Sequence, residues 1–191
     1  VGNPAEPGQP QEVAIINRSR SGGEVYAEST CVYRFSTDLF GHSWYSHKKC
    51  DTGRGMEVAS YNRQGNPLEI SDGENRTRFV YDETGELLLR RENRFEIVAL
   101  EYDPRFRKIS RVVHFDPDAP QVVLDESIYR YDERENLVSA KNSSGEEVIL
   151  SYNSQNQISR MEDSAPTVLE FNYAENGKPE TIKVVGIGRI L

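Results

Sequence analysis

Apolar and polar residues alternate with a period of two through most of this chain. Ile128-Tyr129-Arg130-Tyr131, Ile149-Leu150-Ser151-Tyr152 and Leu169-Glu170-Phe171-Asn172-Tyr173 each carry the pattern into a tyrosine. Such alternation marks a β-strand with one face covered. No stretch holds an amphipathic helical pattern, because Gly, Asn, Asp and Ser interrupt every candidate. The pattern predicts an all-β chain.

The tyrosines that end these runs recur. Tyr61-Asn62, Tyr81-Asp82, Tyr102-Asp103, Tyr131-Asp132, Tyr152-Asn153 and Tyr173-Ala174 are spaced by 20, 21, 29, 21 and 21 residues. Such a period marks a repeat array. The long gap coincides with an insertion near His114 to Leu124, which carries the turn signals Asp116-Pro117 and Ala119-Pro120. After five of the six anchors stands Asp or Asn, which is suited to capping a turn through backbone N–H groups. Gly65, Gly85, Asn156 and Gly177 follow where positive φ is needed. Leu87, Leu137 and Ile158 then open a return strand. Each repeat therefore reads as one hairpin, and stacked hairpins bury their tyrosines against one another.

The fold class expected is an array of stacked β-hairpins forming one continuous twisted or curved antiparallel sheet, closed at its N-terminal end by a disulfide-linked cap. Residues 1–23, rich in Pro, Gly and Glu, read as a flexible leader. Residues 24–60 read as the cap, with Trp44, Tyr45, Cys31 and Cys50. Residues 61–191 hold the repeats, with the insertion near 112–126. The six anchors Tyr61, Tyr81, Tyr102, Tyr131, Tyr152 and Tyr173 are read as structural packing, since their period is the period of the fold.

The motif Y-[DN]-x-x-G-x-L resembles the YD-repeat, or RHS (rearrangement hotspot), family. Tyr81-Asp82-Glu83-Thr84-Gly85-Glu86-Leu87 is the clearest match, over a resemblance spanning about 58–185. The resemblance implies a mostly bacterial, exported or surface-associated protein. Its family relatives wind such repeats into hollow shells around toxic cargo. This sequence has too few repeats for a closed shell, so an open sheet is expected.

Composition narrows the function. The chain has 191 residues, 36% apolar and 28% charged, with 23 Lys+Arg against 31 Asp+Glu and a net charge of −8. An acidic surface repels phosphates, so nucleic acid is not an expected partner. Two cysteines close together read as a Cys31–Cys50 disulfide and hence an oxidising compartment. No apolar run is long enough for a transmembrane helix. The expected location is periplasmic, outer-membrane-anchored or extracellular, with a lipid anchor upstream of residue 1 as one route.

Candidate chemistry is sparse. Trp44 and Tyr45 in the irregular cap are candidate ligand contacts. Asp116 and Asp118 lie in an acidic insertion that reads as a solvated interaction loop, with loose calcium binding as the lesser reading. His42, His47 and Cys50 cluster, but their spacing does not match tight zinc signatures and a disulfide would consume Cys50. No nucleophile elbow, phosphate loop or metalloprotease helix occurs. No metal or cofactor is expected. The function expected is noncatalytic binding of a protein or carbohydrate at a cell surface. A structural spacer or partial shell is the alternative, and a hydrolase a distant third.

Overall fold

The computed structural model describes residues 11–21, 24–51, 55–164 and 167–187. All its regular structure is β. The strands are β1 (Gln11–Ser21), β2 (Glu24–Thr37), β3 (Ser43–Asp51), β4 (Met56–Tyr61), β5 (Pro67–Asp72), β6 (Asn75–Tyr81) and β7 (Leu88–Glu92). They continue as β8 (Ile97–Tyr102), β9 (Ile109–Phe115), β10 (Val123–Tyr131), β11 (Leu137–Asn142), β12 (Glu147–Tyr152), β13 (Ile158–Asp163), β14 (Thr167–Tyr173) and β15 (Pro179–Ile187). Their order across the sheet is their order along the chain. Short turns make this possible: each hairpin returns beside itself, and antiparallel neighbours need only a tight connection. The expected all-β hairpin array is therefore what forms. Two compact units, 1–97 and 98–191, divide the chain.

The first unit holds β1 to β7. Cys31 and Cys50 sit directly opposite each other on β2 and β3 and are joined by a disulfide with a Cα–Cα distance of 4.0 Å. Both are buried, as is Ala59 on β4. Register places Ala59 beside Lys48 and Ile70. The opposite face carries charge. Glu69 pairs with Arg76 at 2.5 Å and Arg78 at 3.5 Å, and Arg78 reaches Glu92 at 3.8 Å. These are solvent-facing pairs on cross-strand neighbours, each worth at most about 1 kcal/mol.

The expected leader is different from the structure at one point. Residues 11–21 form β1, which pairs with β2 over its whole length. The physical reason is the run Val13-Ala14-Ile15-Ile16, whose β-branched residues favour an extended chain. Residues 1–10 and 22–23 of that segment lie outside the described residues.

The second unit holds most of β8 and all of β9 to β15. Cross-strand register puts Tyr129, Ala140 and Val148 on one face, with Leu150, Met161, Leu169 and Phe171. The other face carries Arg130, Ser139, Glu162, Arg160 and Glu170. The first face is mainly apolar, while the second mixes these polar residues with Ile128, Ile149 and Val168. Among the described residues no large side chain is fully buried. A single layer has no second sheet to close over its apolar face, so the rings and aliphatic chains stay half-covered.

Candidate functional site

The repeated turn is the feature from which any site here must be built. In each turn the residue after the anchor tyrosine closes the loop with its own backbone. Asn62 N–H donates to the Asn66 carbonyl at 2.9 Å, Asp132 to Asn136 at 3.0 Å and Asn153 to Gln157 at 2.9 Å. Where that residue is Asp or Asn, its side chain also caps the turn. Asn62 Oδ1 accepts from the N–H of Asn66 at 2.9 Å, Asp132 Oδ1 from that of Asn136 at 2.9 Å, and Asn153 Oδ1 from that of Gln157 at 2.9 Å. Asp and Asn recur there because a short side-chain oxygen reaches backbone donors two to four residues on.

A residue two or three positions before the return strand adopts positive φ in all six turns. Gly65, Gly85 and Gly177 do so as expected, and so does Asn156. Arg107 (φ 56°) and Glu135 (φ 65°) do so as well. Neither was legible in sequence, since both residue types ordinarily avoid this region. The stacked register holds them there. A register shift sits immediately before Tyr61, Tyr81, Tyr131, Tyr152 and Tyr173. This bulge turns each tyrosine toward its neighbouring hairpin.

The hydroxyls then link hairpin to hairpin. Tyr131 donates to the Ile109 carbonyl, Tyr152 to Leu137 and Tyr173 to Ile158, each at 2.8 Å. Every acceptor opens the return strand of the preceding hairpin. A second set of links joins successive turns. Asn66 Nδ2 donates to the Gly85 carbonyl at 2.9 Å, Lys108 Nζ to Glu135 at 2.7 Å and Gln157 Nε2 to Gly177 at 3.2 Å. Burial pushes the hydroxyl pKa of Tyr61, Tyr81, Tyr131 and Tyr152 above the ordinary 10.0.

One further copy of the turn lies inside the expected cap. Asp38-Leu39-Phe40-Gly41-His42 closes like the others, with Asp38 N–H donating to His42 at 3.0 Å and Gly41 at φ 83°. Asp38 Oδ1 accepts from the N–H of Phe40 at 2.8 Å and of His42 at 3.0 Å. Its other oxygen meets the Arg63 guanidinium. The signal was Asp-x-x-Gly, hidden because Thr37 stands where the other copies have tyrosine. The two tip residues here are apolar, and Leu39 is 101% and Phe40 84% exposed.

The predicted contact residues fall as follows. Trp44 is half-buried and lies opposite Ser36. Tyr45, next along β3 and so on the other face, is 38% exposed. Its ring packs edge-on against Tyr61 with centroids 4.6 Å apart. Tyr45 is therefore partly committed to structure. Within 112–126, residues 112–115 and 123–126 belong to strands, and the turn itself is 116–122. Asp116 shapes that turn: its Oδ1 accepts from Asp118 N–H at 2.8 Å, and its N–H donates to Val122 at 3.0 Å. Asp118 is exposed. Among the described residues no group of three His, Cys, Asp or Glu side chains is placed to hold a metal ion. The depression over β1 to β4, of about 550 Å³ and lined partly by Arg34, His47, Lys49 and Val58, is open to solvent. It brings together no nucleophile–base pair.

The aspartate caps titrate with the fold. Asp132 lies below its ordinary 3.8 because the Asn136 N–H bonds its carboxylate, helped by the Asn136 side chain and the Arg134 N–H. A lowered folded-state pKa gives stability that is present above the unfolded value and lost as pH falls through the folded one. Asp132→Asn keeps the acceptor, as Asn62 and Asn153 do in their turns. The variant is expected to match wild type at pH 7 and to lose less stability between pH 7 and about pH 3. Urea denaturation at the two pH values reads this; identical losses in both proteins would refute it.

A single-layer array of antiparallel hairpins, stapled by tyrosine hydroxyls and turn side chains, is thus the class of protein that fold and turns define. No protein-family model matches the chain, and no curated protein matches it. Among solved structures, a chain of the Tc holotoxin pore of Photorhabdus luminescens superposes with a TM-score of 0.57 at 15% identity. The match covers 85% of this chain and 10% of that chain. A chain of the TcdB2–TccC3 crystal structure matches with a TM-score of 0.46 at 13% identity, over 91% of this chain and 14% of that one. This chain therefore spans about a tenth of the length of the first of these. The first likeness supports an RHS-like fold. No helix among the described residues is long and apolar enough to cross a membrane.

Proposed function

We propose that this chain is a noncatalytic, exported RHS-like repeat module that binds a protein or glycan through its hairpin tips. One observation carries the reading: within each unit, side-chain bonds link successive turns, while among the described residues no enclosed reaction pocket is found. Tips held this way are pre-organised and lose little entropy on binding. The contacts proposed are Trp44 and Tyr45 in the first unit, and Asp116 and Asp118 in the second. The exposed Leu39–Phe40 tip lies in the same hairpin as Trp44. A disulfide fits a periplasmic, outer-membrane or extracellular location in a bacterium.

The test is a glycan and surface-protein array probed with three proteins. These are wild type, Trp44→Ala, and a variant with 116–122 replaced by a two-residue turn. At least one variant is expected to lose about tenfold in affinity for a ligand that wild type binds, the cost of one buried aromatic or polar contact. Unchanged binding by both variants, or turnover of an arrayed glycan, would overturn the reading.

The second reading is a structural wall within a larger assembly. It is favoured by the fold likeness to a chain of a toxin pore.

A further inference from the structure

We infer that the Leu39–Phe40 tip is a membrane-contact site, which sets its two apolar side chains into an uncharged lipid surface. This rests on the reading of the turns as binding tips and names a lipid surface as what this one tip meets.

The tip joins β2 to β3, inside the array. Leu39 and Phe40 are 101% and 84% exposed, more than any other large apolar side chain among the described residues. A single exposed apolar residue is ordinary, but two adjacent ones at the apex of a hairpin mark a contact. The backbone beneath them is fixed in advance. Asp38 Oδ1 accepts the N–H groups of both Phe40 and His42, so the apex loses little freedom on contact. No other turn of this plan carries two apolar residues at its centre.

Charge and depth select lipid. A bare carboxylate beside the apex would hold it out of a bilayer, because burying an unpaired charge there is costly. Asp38 is not bare: its side chain is 14% exposed, and its Oδ2 faces Arg63 and His42. The rung below the turn pairs Thr37 with Ser43, their hydroxyls 2.8 Å apart. Trp44 lies one rung further down, opposite Ser36, at a rise of about 3.3 Å per rung. With the apex at the acyl boundary, the hydroxyl rung and Trp44 fall in the headgroup layer, where tryptophan is favoured. A glycan fits this apex poorly, since its hydroxyls need polar partners that Leu39 and Phe40 lack. The acidic turn of Asp82, Glu83 and Glu86 stands two hairpins on, roughly 19 Å by strand spacing. Contact is therefore shallow and confined to the one apex. Two apolar side chains give reversible partition of at most about 10⁴ M⁻¹, the level of a single acyl anchor.

Trp44 is the only tryptophan of the chain, so it reports contact without a label. The probe is phosphatidylcholine vesicles, with and without bromine on the acyl chains, titrated into the 191-residue chain. Wild type is expected to co-sediment with the vesicles, and brominated lipid to quench Trp44, equally at low and high salt. Leu39→Asn/Phe40→Asn is expected to partition at least about tenfold more weakly, the loss of two buried apolar side chains. Both positions are exposed, so this variant keeps its fold, which circular dichroism checks. Leu39→Phe/Phe40→Leu is expected to partition like wild type, because a bilayer reads apolar area rather than shape. Wild type left in the supernatant would overturn the proposal, as would equal partition of the folded asparagine variant. Binding abolished by high salt would also overturn it, since charge would then be the attraction. So would an arrayed protein that binds wild type and not the asparagine variant while the vesicles bind neither, which would assign the apex to an apolar pocket of that protein. None of these outcomes touches the reading of the tips as binding elements, which the Trp44→Ala and 116–122 variants test separately.

Discussion

Replacing both Cys31 and Cys50 by alanine is expected to cost the first unit about 3 kcal/mol of stability, the chain-entropy value for a loop of this length. The bridge closes a sequence separation of 19 residues. It joins directly opposed positions on β2 and β3, so it fixes the register of the hairpin that carries Leu39, Phe40, Trp44 and Tyr45. Both cysteines are buried in a unit where, among the described residues, the other buried apolar ones are Ala59 and Ile97, which leaves little else to compensate. With urea m-values of about 1–3 kcal/mol/M, the midpoint should fall by on the order of 1–3 M. Reduction of wild type should reproduce the shift. Superimposable denaturation curves for oxidised, reduced and alanine forms would refute the staple.

The second large effect is expected at Tyr152. Tyr152→Ala should destabilise by about 3 kcal/mol, the low end for removing an aromatic ring, because the ring is half-buried. Tyr152→Phe should cost about 1 kcal/mol, for the bond to the Leu137 carbonyl alone. Their ratio separates ring packing from the hydroxyl link. Burial, followed by the Asp132 carboxylate, raises the Tyr152 hydroxyl above 10.0. A raised folded-state pKa gives stability that is present below the unfolded value and lost as pH climbs through the folded one. Wild type should therefore weaken above pH 10, and Tyr152→Phe should weaken less. Were the phenylalanine variant as damaged as the alanine one, the packing account would fail.

The proposed binding tips depend on a geometry that the chain repeats. Among the described residues seven turns share one plan, from Asp38 through Ala174, five closing over four residues and those at Asp82 and Asp103 over five. Six carry polar residues at the two central positions, apart from Pro104, and only the first carries Leu and Phe. Side-chain variation on a constant backbone is how such scaffolds vary contacts without changing fold.

Sequence alone determined the all-β class, the hairpin unit and its period, because strand alternation and Asp/Asn–Gly turn chemistry are local rules written in adjacent residues. It also singled out the Cys31–Cys50 pair by elimination. Tertiary structure decided what local rules cannot reach. Residues 11–21 became a strand because β2 offered a partner edge to the β-branched run of Val13, Ile15 and Ile16, despite the Pro- and Gly-rich sequence before them. Arg107 and Glu135 took positive φ because register with neighbouring hairpins outweighs their intrinsic preference. The tyrosine links to Ile109, Leu137 and Ile158 depend on bulges and on a neighbour 15 to 22 residues away, which no single repeat encodes. Asp38 went unnoticed as a turn because its copy lacks the tyrosine, and only the closed backbone reveals it.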